Sequence, residues 1–160
     1  SVDEPIRRLA NYMKSLPSLA MVEDKVLEEI ATHAQLAHFG KGESAIYQNQ
    51  QNVKLHFILA GSAIATSRDA DDKQYTIDEM TRGDCFGYSA ILANEPSPMT
   101  VTASEDLEVL ILEAAAVQKM LNKTPTLSQQ LAMVIDARQS KLKAITLANN
   151  QSGSLLFSSR

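Results

Sequence analysis

The stretch Thr81–Leu112, TRGDCFGYSAILANEPSPMTVTASEDLEVLIL, decides the fold of this 160-residue chain. Gly83 and Asp84 predict a turn, and Gly87 permits a backbone geometry that a side chain would block just before a short apolar run. That run predicts one or two helical turns, followed by a loop and two strands. Because a helix start presents unpaired N–H groups, the turn is either a cradle for a phosphate or other anion, or an ordinary turn.

Several spaced segments resemble one known family. GDCFGYSAILANEPSPMTVTA resembles the phosphate-binding cassette of cyclic nucleotide-binding domains, the family of the catabolite activator protein, protein kinase A regulatory subunits and nucleotide-gated channels. LHFILAGSAIA, at Leu55–Ala65, resembles the family's strand, glycine turn and strand, and KGESAIYQNQ its opening β segment. The resemblance covers roughly residues 16–147. It implies an α+β fold, an antiparallel, jelly-roll-like β roll flanked by N- and C-terminal helices.

The resemblance also implies a ligand, cAMP or cGMP, without a cofactor or a metal. If the cassette is functional, the residues that hold the ligand are Phe86, Gly87, Tyr88, Ser89, Ala90, Ser97 and Pro98. Tyr88 stands where the family has a glutamate for the ribose hydroxyl, and Ser97 where an arginine pairs with the cyclic phosphate. A guanidinium gives a phosphate two charge-assisted hydrogen bonds, whereas serine offers a neutral one. We expect this loss to cost about one to two decades of affinity.

Two functions are compatible with this cassette. The first is a regulatory sensor within a larger protein, such as a membrane channel or transporter, with weak, altered or lost cyclic nucleotide binding. There the ring of Tyr88 stacks on a base or closes over the pocket, and a ligand shifts the last helix. The second is a ligand-free dimerisation or docking module that keeps the fold as a scaffold, with Tyr88 packed on the roll.

Composition excludes several other classes of protein. The net charge of −4 and the pI near 5.3 favour neither nucleic acid nor an anionic membrane as a partner. No apolar run reaches the length of a transmembrane helix, so we expect no membrane insertion of this segment. Cys85 is the single cysteine, which excludes an internal disulfide and fits a cytoplasmic setting, including the cytosolic part of a membrane protein. A start at Ser1 rather than Met suggests a segment of a larger parent.

Periodicity predicts a single domain over residues 1–149. The predicted elements are helices at 4–16 and 21–34, a β roll at 38–112, C-terminal helices at 113–149 and a flexible tail at 150–160. Thr124 is predicted to cap the last helix, with proline next to it. An apolar stripe on that helix, interrupted by Arg138, packs on its own domain or forms a homodimer.

No catalytic pattern is present. The three histidines form no His-x-His pair, and no Gly-x-Ser-x-Gly motif occurs. Ser89 and Ser97 lack an identifiable base. The sequence therefore predicts a protein that is not an enzyme.

Overall fold

The structure is a computed structural model that describes residues 3–158, without the side chains of residues 89, 90, 93 and 149–158. Its helices are α1 (Glu4–Lys14), α2 (Asp24–His33), α3 (Tyr88–Ala93), α4 (Ala114–Lys123) and α5 (Pro125–Ser158). Its strands are β1 (Gln35–Phe39), β2 (Ser44–Ile46), β3 (Leu55–Ala60), β4 (Ser62–Arg68), β5 (Gln74–Thr81), β6 (Cys85–Phe86), β7 (Thr100–Ala103) and β8 (Leu107–Leu112).

The strands form two four-stranded antiparallel sheets. One has the order β1-β8-β3-β6 and the other β2-β7-β4-β5. Helices precede the sheets in the chain and follow them, and α3 interrupts the strands between β6 and β7. This confirms the predicted antiparallel β roll with flanking helices.

Strand β3 lies at the centre of the molecule, because it is buried on both faces. Leu55, Phe57 and Leu59 pack in one apolar cluster with the helices, whereas Ile58 packs in a second cluster between the two sheets. Successive side chains of a strand point to opposite faces, so the apolar run of β3 serves both clusters. The neighbouring strand β8 is shared in the same way, with Leu110 and Leu112 in the cluster of the helices and Leu107 and Val109 in the cluster between the sheets.

Three predicted boundaries differ from the structure. Helix α1 ends at Lys14 instead of 16, and α2 begins at Asp24 instead of 21, because Pro17–Leu19 forms a separate 3-10 turn between them. The roll begins at Gln35 rather than 38, since the whole of Gln35–Phe39 pairs with β8. The start of β1 is set by pairing with β8, which is distant in sequence, so the local sequence pattern does not predict it.

The last helix begins where it was predicted to begin and continues beyond its predicted end. The backbone of α5 continues to Ser158, where an end at 149 was predicted, because only Gly153 interrupts the stretch and one glycine costs a helix about 1 kcal/mol. The flexibility of 150–160 stays a prediction. The predicted start was correct: α5 begins at Pro125, and the carbonyl of Thr124 accepts hydrogen bonds from the N–H groups of Leu127 and Ser128, while the buried Oγ1 of Thr124 has no partner. Thr124 also ends α4, which fixes its backbone.

Among the described residues, no helix is both long enough and apolar enough to cross a membrane.

His56, on β3, makes the stability of the fold depend on pH. Its side chain is 6% exposed, its ring stacks on Phe86 at 4.7 Å, and burial lowers its pKa from 6.5 to about 4 despite a hydrogen bond with the Lys54 carbonyl. Between these pH values His56 is protonated in the unfolded chain and neutral in the folded chain. We expect the free energy of unfolding to fall by up to about 3 kcal/mol as the pH drops from 6.5 to 4.

Urea denaturation across this range measures the effect. The variant His56→Gln should lose this part of the pH dependence, and His38→Gln, at an exposed histidine, should keep it. Equal pH profiles for His56→Gln and the unchanged protein would contradict the assignment.

Candidate ligand-binding site

The cassette begins with a turn that lies directly on β3. Gly87, between β6 and α3, has a φ of 93°, and Asn94, after α3, has a φ of 52°. A Cβ atom at Gly87 would stand 2.2 Å from the carbonyl oxygen of Lys54. Gly87 is therefore required both for its left-handed backbone and for the close approach of the two chain segments.

A cavity of about 140 Å³ lies between the cassette and α5. It is lined by Gly87, Tyr88, Glu95, Pro96, Pro98 and Met99 from the cassette and by Ile135, Arg138, Gln139 and Leu142 from α5. Of the seven residues predicted to hold a ligand, Gly87, Tyr88 and Pro98 line this cavity. Phe86 and Ser97 are not part of this lining, and the side chains of Ser89 and Ala90 lie outside the described part of the chain.

Tyr88 connects the cassette to α5. Its side chain is buried in the apolar cluster of the helices, and its hydroxyl is hydrogen bonded to the side chain of Ser128 on α5. Burial raises the pKa of Tyr88, and the Ser128 bond opposes that rise. A neutral phenol therefore stands where the resembled family has a carboxylate.

Ser97 is engaged within its own loop. Its hydroxyl donates to the Met99 carbonyl at 2.7 Å and accepts from the Met99 N–H at 3.3 Å. Its backbone N–H donates to the Gln50 carbonyl, and its carbonyl accepts from the Asn49 N–H. These bonds fix the loop before β7 and leave no charged group where the family has an arginine.

Three of the predicted residues remain: Phe86, Ser89 and Ala90. Phe86 is fully buried in the cluster between the sheets. The backbones of Ser89 and Ala90 belong to the first turn of α3, and their side chains lie outside the described residues. Their roles in ligand binding stay predictions.

Sequence reasoning missed the residues that α5 contributes. Arg138 is 8% exposed, and its Nε donates to Asp78 Oδ2 at 3.0 Å, while its Nη2 donates to the Cys85 carbonyl at 2.7 Å. The one sequence signal for this role was that Arg138 interrupts the apolar stripe of α5 with a charge. The stripe itself packs on its own domain, as one of the two alternatives predicted, because Leu131 and Ile135 join the cluster of the helices.

Two further arginines bond away from the cavity. Arg82 donates to the Ser15 hydroxyl and lies over the ring of Tyr12, and Arg68 pairs with Asp72 in the β4–β5 hairpin. Neither lines the cavity beside the cassette. Arg138 is thus the one basic residue in that lining among the described residues.

The Cys85 thiol is not an activated nucleophile. Burial raises the pKa of the Cys85 thiol from 9.0 to about 11, which keeps it protonated at neutral pH. No group of three or more His, Cys, Asp or Glu side chains in the described part of the chain is placed to hold a metal ion.

Comparison with known proteins gives a family match. Residues 36–124 match the family described as "Cyclic nucleotide-binding domain". The matched range begins in β1 and ends at Thr124, so it contains the whole cassette.

Individual relatives are similar at low identity. A cAMP-dependent protein kinase regulatory subunit from Eremothecium gossypii is 25% identical over 111 residues, which are 69% of this chain and 23% of that protein. A potassium channel from Oryza sativa subsp. japonica is 26% identical over 110 residues, which are 69% of this chain and 13% of that protein. The chain thus spans less than a quarter of these curated relatives.

Solved structures resemble the fold. The regulatory subunit of a cAMP-independent protein kinase A from Trypanosoma cruzi, bound to guanosine, superposes with a TM-score of 0.77 at 19% identity. The match covers 90% of this chain and 52% of that one. It establishes the likeness of fold.

Substitution of Gly87 should destabilise the protein more than the same change at a comparable glycine. Gly42 has a φ of 91° and nothing within 4 Å of an added Cβ, so Gly42→Ala measures the cost of the left-handed backbone alone. Gly87→Ala adds the overlap with the Lys54 carbonyl, and we expect it to lose at least about 2 kcal/mol more. Urea denaturation gives both values. Equal losses would show that the turn moves away from β3 without cost.

Proposed function

Because the chain belongs to the cyclic nucleotide-binding domain family, we propose that it is a non-catalytic sensor module of a larger protein whose ligand displaces α5 from the cassette. Binding of cAMP or cGMP is weak or altered relative to that implied by the family's cassette. The larger protein is a membrane channel, a transporter or another signalling protein with this module on its cytoplasmic side. The similarity to kinase regulatory subunits and to a potassium channel supports such a parent.

The size of the cavity is the observation that carries this proposal. Ligand pockets usually measure about 300–1,000 Å³. The cavity beside the cassette measures about 140 Å³, and four of its lining residues belong to α5. A nucleotide therefore enters only if α5 moves. Binding and displacement of α5 then form one equilibrium, in which a ligand shifts the population towards the open arrangement.

The chemistry of the cassette supports altered ligand selectivity. Tyr88 and Ser97 provide neutral groups at the two positions where the family has charged contacts, and their hydroxyls already have partners. A neutral nucleoside loses less at such a cassette than a cyclic phosphate does. The guanosine bound to the trypanosome kinase subunit, a protein of similar fold, makes guanosine a suitable ligand to test.

The alternative function is a ligand-free docking module. The observation that favours it is the same closure, because α5, Tyr88 and Ser128 together fill the space over the cassette. In that case α5 is a permanent part of the core. The two functions differ in whether any nucleoside or nucleotide opens the site.

The outer face of α5 supports a second copy of the chain as a partner. Opposite the buried stripe, five exposed, uncharged residues follow one another at spacings of four, three, four and three: Met133, Ala137, Ser140, Ala144 and Leu147. Met133 is 72% exposed and Leu147 60%. This spacing is that of a coiled-coil seam. We name these five residues the outer seam.

Charges beside the outer seam favour a parallel pair of helices. Asp136 and Lys141 flank it, are exposed and make no ion pair within the described residues. They are five residues apart, so in a parallel pair the Asp136 of each helix faces the Lys141 of the other, twice by symmetry. The seam residues are mostly small, so we expect a weak dimer that a larger parent protein would reinforce.

Restoring the two charged contacts should increase cyclic nucleotide affinity. The double variant Tyr88→Glu, Ser97→Arg supplies an acceptor for the ribose hydroxyl and a guanidinium for the phosphate, and it also removes the Tyr88–Ser128 bond that holds α5. We expect cAMP to bind about one to two decades more tightly than to the unchanged protein. Isothermal titration with cAMP, cGMP, a cyclic dinucleotide and guanosine measures this.

The matched control is Tyr47→Glu, the same change at an exposed tyrosine. It should leave the affinities as they are. If no ligand in the panel binds the unchanged protein or the double variant, the sensor function is wrong and the docking module is the better description.

Disruption of the outer seam should abolish self-association. In sedimentation velocity, the unchanged protein should shift towards a dimer as its concentration rises, and Ala144→Glu should remain monomeric because it places a charge in the seam. Thr146→Glu adds the same charge at an exposed position outside the seam and should still associate. A dimer that persists in Ala144→Glu would exclude this face as the interface.

A further inference from the structure

Arg138 lies in the wall that separates two cavities. On one side is the 140 Å³ cavity beside the cassette, and on the other is an open groove of about 400 Å³ between α5 and β5. The groove is also lined by the acidic residues Asp78, Glu79 and Asp84, together with Lys141. The guanidinium thus has acidic groups on its groove side and the cassette on its other side.

The contacts of Arg138 place its charge at the start of the cassette. The Cys85 carbonyl that accepts from Nη2 is two residues before Gly87, and Gly87 and Tyr88 line the same cavity as Arg138. Nε is bonded to Asp78, and Nη2 also approaches the sulfur of Met80 at 3.2 Å. Nη1 has no hydrogen-bond partner among the described residues. Nη1 is not one of the buried side-chain atoms that lack a partner, so it reaches solvent and stays available to an anion in the cavity.

We propose that Arg138 supplies, from α5, the cation that contacts the phosphate of a cyclic nucleotide in this cavity. It takes the part of the arginine that the cassette lacks at Ser97. Asp78 holds the guanidinium when no ligand is bound, and it competes with the phosphate for the same charge. This inference rests on the proposed function: α5 shifts far enough to admit the ligand, and the long side chain of Arg138 releases Asp78 and reaches from the shifted helix to the phosphate.

Two features distinguish this role from that of an ordinary buried ion pair. First, the pair is asymmetric: the side chain of Arg138 is 10% exposed and that of Asp78 is 37% exposed, so water reaches the carboxylate more readily. Asp78 can therefore release the guanidinium at a lower cost than a fully buried carboxylate would. Second, among the described residues Glu95 is the only other charged residue in the cavity lining, and it is exposed, so a phosphate would meet one buried charge, which is positive.

The consequence is that cyclic nucleotide binding depends on Arg138 and Asp78 in opposite directions. Removal of the Asp78 charge frees the guanidinium and takes a negative charge away from the site. Removal of the Arg138 charge deletes the phosphate contact. A neutral nucleoside gains nothing from this guanidinium and should be insensitive to its charge.

Isothermal titration of four variants with cAMP and with guanosine tests the proposal. Asp78→Asn, which keeps the shape of the side chain, should bind cAMP roughly threefold to tenfold more tightly than the unchanged protein, and Arg138→Gln roughly tenfold more weakly. Arg138→Lys keeps the positive charge but lacks the planar guanidinium, so its cAMP affinity should lie between those of the unchanged protein and Arg138→Gln. Lys143→Gln removes one positive charge from an exposed position on the same helix and should match the unchanged protein.

Guanosine separates this inference from the function on which it rests. If guanosine binds and cAMP affinity is the same with Arg138→Gln as without it, the sensor function stands and the role of Arg138 is overturned. If neither cAMP nor guanosine binds to the unchanged protein or to Asp78→Asn, both the sensor function and the role of Arg138 are overturned. Thermal unfolding of each variant identifies a folding defect. If Arg138→Gln is unfolded, Asp78→Asn decides, since unchanged or weaker cAMP binding by that variant overturns the proposal.

Discussion

The guanidinium of Arg138 joins three parts of the molecule, namely α5, β5 and the cassette. It bonds to the carboxylate of Asp78 and to the carbonyl of Cys85, both of which lie on the roll. A buried charge is costly unless its donors have acceptors, so α5 is best placed where Arg138 reaches both. That placement also closes the cavity over Gly87 and Tyr88. Closure of the site and satisfaction of this charge are therefore the same event.

The packing of α5 against the rest of the domain becomes less extensive from its N-terminal end onward. Leu127 and Leu131, near its start, are buried in the cluster of the helices, whereas Ile135, Leu142 and Ile145 are only partly buried. Apolar contact is the main source of local stability, so the first two turns form an anchor and the following turns are easier to detach. Displacement of α5 from the cassette thus requires the loss of partial contacts and of the Arg138 bonds, while the buried anchor remains.

Local sequence signals, together with the family resemblance, predicted the fold and the turn before α3. The glycine before α3 and the alternation of apolar and polar residues along the strands are patterns within a few residues. They were enough to predict the turn and to support the roll. The residues that α5 places over the cassette could not be predicted, since Arg138 is 51 residues after Gly87 and meets it only through packing. The start of α5 after Thr124 was predicted correctly, because a threonine followed by proline is a local signal for a helix start.

The two faces of α5 make ligand binding and self-association interdependent under the proposed function. The inner face carries Arg138 and the outer seam carries Met133, Ala144 and Leu147 on one continuous helix. A ligand that moves α5 also moves the outer seam. The free energy of ligand binding therefore depends on whether the seam is paired, and the free energy of pairing depends on whether the ligand is bound. By reciprocity, a partner that pairs with the seam in the open arrangement tightens ligand binding, and one that prefers the closed arrangement weakens it. In the larger protein that the proposed function assumes, segments that fix the seam would set the sensitivity of the cassette without contacting it.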